Sequence, residues 1–101
     1  MTRLRVVPEA EEELAQAAEW YEARRSGLGV DLVVEVDRAF EAIAAAPLSC
    51  PLWRDEHPYR RSVLSRFPFV VFYRFEGADV VVLAVAHTRR KPGYWMDHKV
   101  R

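Results

Sequence analysis

Two strand-forming runs constrain this chain more than any other feature: residues 69–75, Phe-Val-Val-Phe-Tyr-Arg-Phe, and residues 80–86, Val-Val-Val-Leu-Ala-Val-Ala. Both are dense in the β-branched and aromatic side chains that suit a pleated surface. Neither alternates with polar residues, so both faces of the strands they form have to be buried. Glu76-Gly77-Ala78-Asp79 lies between them and reads as a hairpin loop. The fold is therefore built around a central antiparallel pair, and the rest of the sequence has to cover it.

The first half supplies helical cover. Residues 3–7, Arg-Leu-Arg-Val-Val, alternate and end β-branched, which predicts a short first strand closed by Pro8. Pro8 suits the first position of a helix, where its missing N–H is not needed. Glu9, Glu11, Glu12 and Glu13 then favour the positive end of the helix dipole. Ala10, Leu14, Ala17, Ala18 and Tyr21 recur at helical spacing, giving a helix to about Arg25 that Ser26-Gly27 ends. Leu28, Leu32, Val36, Phe40 and Ile43 form a second stripe, up to Pro47. Its valines are strand formers taken singly, but the run is too long for an ordinary strand, which spans roughly 3–10 residues. The short connection makes the two helices an antiparallel hairpin with their small Ala faces together.

Residues 47–58 hold three prolines and form a connecting loop, with Leu48, Leu52 and Trp53 folding back on the core. Residues 59–66 are a third, more polar strand ahead of the central pair. The expected class is α+β: an N-terminal strand, an antiparallel two-helix hairpin, then three mainly antiparallel strands (β-α-α-β-β-β) and a short basic C-terminal tail, in one domain over residues 1–101.

With half of its 101 residues hydrophobic, the chain can build a core without staples, and its one cysteine, Cys50, has no partner for a disulfide. A reducing cytoplasm is the expected setting. No apolar run is long enough for a signal peptide or a membrane span, so secretion and a membrane partner are not expected. The net charge of zero hides an asymmetry. Residues 1–53 carry ten acids against five arginines, a balance of minus five, and residues 54–101 carry five acids against ten Lys and Arg, a balance of plus five. Either a polyanion or an acidic partner binds the second half, or the asymmetry reflects only that helices carry more Glu and strands tolerate Arg.

That half ends in a turn where charge and aromatics crowd together: Arg89, Arg90, Lys91, Tyr94 and Trp95 around Pro92-Gly93. These five residues are the candidate target-binding set, since Arg, Tyr and Trp favour both interface anchoring and contact with phosphate and bases; the alternative is a solvated tail with its aromatics folded onto the core. Arg74 puts a charge in an otherwise apolar strand and reads as snorkelling from the sheet edge or pairing with a helix acid. His87, at the end of a buried strand, reads as hydrogen-bonded structure rather than a general base. His57 and His98 sit in flexible contexts without carboxylate or Cys partners at metal spacing, so neither a metal site nor a cofactor is expected.

The order of elements resembles the RelE/ParE toxins over nearly the whole chain, with Phe67-Pro68-Phe69 entering one strand and His87-Thr88-Arg89-Arg90-Lys91-Pro92-Gly93-Tyr94-Trp95 leaving the last. Trp20-Tyr21 on the acidic first helix and the Pro-Gly-Tyr-Trp tail are similar to ParE-like, plasmid-stabilisation proteins. The resemblance implies the toxin of a type II toxin–antitoxin system, held inactive by a cognate antitoxin and touching DNA only through the antitoxin complex. ParE-like members poison DNA gyrase, whereas RelE-like members cleave messenger RNA on the ribosome. Cleavage needs cations to stabilise a crowded phosphorane and a group to take the 2′-hydroxyl proton. Alignment on Val71-Phe72-Tyr73 puts Arg61 at one family Lys position but Val63 and Val70 where another Lys and an Arg would stand. Arg89 or Arg90 stands near the family's catalytic Arg, and Tyr94 matches its tail Tyr. The reading is therefore a growth-inhibiting, non-enzymatic toxin directed at gyrase. Its alternatives are an endoribonuclease using Arg61, Arg89, Arg90 and Tyr94, with ribosome and mRNA as partners, or a non-toxic antitoxin-binding module.

Overall fold

The computed structural model describes residues 2–53 and 58–98. In chain order it contains β1 (Arg3–Val6), α1 (Pro8–Arg24), α2 (Leu28–Ala45), β2 (Tyr59–Val63), β3 (Phe69–Glu76) and β4 (Asp79–His87), then a single 3-10 turn at Tyr94–Asp97. This is the β-α-α-β-β-β order that the periodicities predict. Pro8 opens α1 as expected. The turn into α2 is held by Glu22, whose carboxylate accepts the N–H groups of Gly27 (2.7 Å) and Gly29 (2.9 Å), donors left without intrahelical partners at a helix start. Gly29 also marks where the helices meet, since a Cβ there would lie 2.3 Å from the carbonyl oxygen of Ala18.

The strands form one mixed sheet in the order β1-β4-β3-β2. The β3–β4 pair is central and antiparallel, and β2 lies antiparallel along the outer side of β3. On the other edge β1 runs parallel to β4, with Val6 opposite Val82, after which the Val7 N–H donates to the Val82 carbonyl (3.0 Å). A parallel neighbour cannot be reached by a tight turn, and here the helix hairpin, β2 and β3 all lie between the two strands in sequence.

Two boundaries differ from expectation, each for a local reason. β2 stops at Val63 instead of running to residue 66, because Glu35 of α2 accepts the Ser65 N–H (2.7 Å), the Arg66 N–H (3.2 Å) and the Ser65 hydroxyl (3.1 Å). The β3–β4 loop tightens to Gly77-Ala78, since Glu76 and Asp79 already pair, and Gly77 takes the positive φ (+62°) that such a turn demands. Arg74 pairs within its own strand, with Glu76 at 2.6 Å, and not with a helix acid.

Both faces of the central pair are covered, as the two unbroken apolar runs require. On one face Tyr21 of α1 packs edge-on against Phe67 (5.0 Å) and Phe69 (6.3 Å), and the Tyr73 hydroxyl donates to the Pro47 carbonyl just after α2 (2.8 Å). Leu32, Val36 and Ile43 of α2 are fully or almost fully buried in the same core. The opposite face is covered by aromatics from the loop and the tail. Trp95 stacks on Phe72 at 4.6 Å and 24°, and Trp53 meets Phe72 edge-on at 5.8 Å.

Candidate target-binding face

The tail is folded against the sheet by a series of backbone bonds. After β4, the Thr88 N–H donates to the Pro68 carbonyl (2.9 Å) and the Arg90 N–H to the His87 carbonyl (3.0 Å), which turns the chain back across the sheet. The His87 Nδ1 accepts the Arg89 N–H (3.1 Å) and its ring lies edge-on to Phe69 (5.2 Å), the structural arrangement read from the sequence. At Gly93 φ is +82°, and a Cβ would sit 3.3 Å from Cη2 of Trp53, so this turn packs directly on the indole. Neither a positive φ nor that close approach tolerates a larger residue.

Trp95 departs from expectation. It is completely buried, stacked on Phe72 and edge-on to Trp53 (5.1 Å) and Tyr59 (4.8 Å). An indole with no exposed surface offers nothing to a target, so Trp95 anchors the tail while its neighbours remain outside. His98 also departs from the flexible setting expected of it: its Nδ1 lies 2.9 Å from the Leu83 carbonyl on β4. His57 falls outside the described residues.

Tyr94 and Arg90 are fixed by a residue that no motif singled out. Glu13, in the second turn of α1, accepts the Val85 N–H on one oxygen (3.0 Å) and the Tyr94 hydroxyl on the other. Arg90 Nη1 lies 3.9 Å from that second oxygen, and the guanidinium sits 3.9 Å over the Tyr94 ring as a cation–π pair. Burial raises the Glu13 pKa, against the lowering effect of the Tyr94 and Val85 hydrogen bonds and of His98 and Arg90 nearby. Burial and the carboxylate together push the Tyr94 phenol well above its ordinary range. Its proton is thus committed to Glu13, the opposite of what a base for a 2′-hydroxyl requires.

Arg90 and Tyr94 form a wall between two cavities. One, of about 180 Å³, lies over the sheet between Trp53, Phe72, Ala86 and the tail residues Lys91 and Pro92. The other, of about 460 Å³, opens between the wall and the start of α1, beside Glu9, Glu12 and His98. Lys91 and Arg89 are exposed at the turn. Arg61 is exposed one strand over, directly opposite Phe72 in the ladder and so on the same face of the sheet, but it lines neither cavity. Val63 and Val70, where ribonuclease cations would stand, are themselves opposite one another on that face. The structure therefore groups Arg90, Lys91, Tyr94 and Trp95, leaves Arg89 and Arg61 at the margin, and puts Val63 and Val70, not cations, on the same face as Arg61. Among the described residues no group of His, Cys, Asp and Glu is placed to hold a metal ion.

The charge asymmetry of the sequence is also spatial: all ten acids of residues 1–53 lie on α1 and α2, while Arg60, Arg61, Arg66, Arg74, Arg89, Arg90 and Lys91 belong to the strands, their loops and the tail. Against known proteins, residues 4–92 match the family described as the ParE toxin of the type II toxin-antitoxin system parDE. The chain belongs to the ParE toxin family. It is thereby the toxin type of a type II system. In fold it is similar to a chain of the chromosomal ParDE TA system from P. aeruginosa, with a TM-score of 0.75 and 17% identity over 86% of this chain and 96% of that one. No curated protein matches it by sequence. The ParE-family match covers the whole framework from β1 to the tail turn and stops just before Gly93, so the anchoring segment that contains Tyr94 and Trp95 lies beyond it.

Proposed function

We propose that this ParE-family toxin acts in the cytoplasm by binding and inhibiting DNA gyrase, without catalysis of its own, and that a cognate antitoxin neutralises it. The observation that carries the reading is the state of Tyr94: its hydroxyl donates to the Glu13 carboxylate beside an Arg90 that is itself engaged, on a face where Val63 and Val70 replace cations. A set of groups locked to one another suits rigid presentation to a protein surface better than proton transfer. Arg90 and Lys91 at the tail, with Arg89 beside them, are the residues we assign to the target, and Trp95 is their internal anchor.

The antitoxin is supported by the family itself. We place it over the outer side of the helix hairpin, where Val30 (61% exposed) and Val34 (41%) flank an apolar groove against Ala18 of α1. Large apolar side chains exposed side by side on a small protein mark a surface that a partner covers.

The test is a supercoiled plasmid incubated with purified gyrase, ATP and the toxin. Stabilised double-strand breaks, absent when gyrase is left out, are the expected result. Intact plasmid, together with cleavage of messenger RNA on purified ribosomes, would replace this reading with the ribonuclease.

A further inference from the structure

We propose that Glu13 is a positioning residue: its carboxylate, reaching across from α1, holds the Arg90–Tyr94 pair of the tail in the one arrangement that engages the target. This rests on the tail being the contact surface proposed above and adds what sets its geometry.

Glu13 is tied first to the sheet. The β1 strand covers β4 only as far as Val82, so the next backbone groups on that edge need other partners. Glu13 takes the Val85 N–H and His98 takes the Leu83 carbonyl, two side chains doing what a neighbouring strand would do. One Glu13 oxygen is thereby fixed to the rigid centre of the sheet, and the other, fixed with it, receives the Tyr94 hydroxyl and faces Arg90. The guanidinium lies over the Tyr94 ring, so the two tail side chains are held as one unit.

The tail has a separate attachment. Trp95, buried against Phe72, Trp53 and Tyr59, fastens the backbone without reference to Glu13. Attachment and orientation are thus assigned to different residues. The neighbouring acids show the contrast: Glu11 and Glu12 are exposed on the same helix, whereas the Glu13 side chain is only 16% exposed. Burying a carboxylate on a helix that has a free surface for it is unfavourable unless its donors are supplied, and here they come from β4 and the tail.

The test separates orientation from attachment and from folding. Glu13→Ala and Glu13→Gln are made in the full chain, with Glu11→Gln as control, and each is induced in a bacterial host while growth arrest is scored. In parallel, the Tyr94 phenol is titrated by NMR and Trp95 is followed by its indole N–H resonance, resolved from those of Trp20 and Trp53. Glu13→Ala is expected to keep Trp95 buried, return the Tyr94 pKa toward its ordinary value and raise the dose needed for arrest by about tenfold to a hundredfold, the size of one charge-assisted contact. Glu13→Gln keeps one acceptor oxygen, for the Val85 N–H, but turns an amide NH2 toward the Tyr94 hydroxyl and loses the charge facing Arg90; it is expected to fall between, and it serves as the readout should the alanine variant not fold. Wild-type potency with Tyr94 released overturns the proposal, and so does a Tyr94 whose titration does not change. Growth arrest without gyrase-linked breaks would remove gyrase as the target while the same comparison of variants still decides the role of Glu13.

Discussion

At the scale of single residues, the tail is divided between side chains that hold and side chains that face outward. Trp95 holds. Losing a fully buried indole leaves a cavity over Phe72, so Trp95→Ala is expected to destabilise the protein by about 3–5 kcal/mol in urea denaturation. A loss well under 1 kcal/mol would mean that the tail is not anchored there. The Pro-Gly-Tyr-Trp segment was legible as important, but not which way each aromatic points, because a turn has no periodicity from which to read a face. Glu13 was less legible still. It is one of four glutamates in the first turns of α1, all reading as partners of the helix dipole, and it is distinguished by partners more than 70 residues further along, Val85, Arg90 and Tyr94.

At the scale of elements, the helices and central strands could be read from the spacing of apolar residues, and they formed within a few residues of their expected ends. What the spacing does not encode is capture of one element by a side chain of another. Glu35 draws the end of β2 out of the ladder, and nothing in the strand's own residues signals this. The parallel β1–β4 pairing is similarly illegible, since it joins the two ends of the domain and not a local turn. Gly29 gives the clearest element-scale prediction. A methyl group there meets the Ala18 carbonyl backbone, so Gly29→Ala forces α1 and α2 apart and is expected to cost about 1–3 kcal/mol, read as a lowered melting temperature. An unchanged melting temperature would show that the hairpin does not pack this closely.

The same hairpin carries a pH dependence. The N–H of Gly27, foremost, with that of Gly29, holds the Glu22 carboxyl below the ordinary glutamate value. Glu35 is also lowered: burial opposes its ionisation, but the N–H groups of Ser65 and Arg66 outweigh it. A lowered folded pKa contributes stability that is present above the unfolded value and lost as pH falls through the folded one. Glu22→Gln is therefore expected to melt below wild type at pH 7, with the gap closing as the pH drops below 4.5. Glu13, raised by burial, acts in the opposite sense and partly offsets the loss on acidification. A gap that is constant with pH would contradict the capping role of Glu22.

At the scale of the molecule, a net charge of zero conceals two layers of opposite sign, an acidic helix hairpin on one side and a basic sheet and tail on the other. A molecule with such a charge division is steered into a preferred orientation by a charged partner, which under the function proposed above would present the tail to the target and the hairpin to the antitoxin. Antitoxin and target would then use separate faces. The division of charge was visible in the sequence as two unlike halves; that the halves become layers follows only from the way the helices stack on the sheet. The central claim is that the basic face binds gyrase and does not cut RNA. It is tested most directly by inducing the chain alone in a bacterial host and following gyrase–DNA breaks and protein synthesis over the same early minutes. Breaks accumulating while translation continues is the predicted result, and prompt translation arrest with newly cut messenger RNA would contradict it.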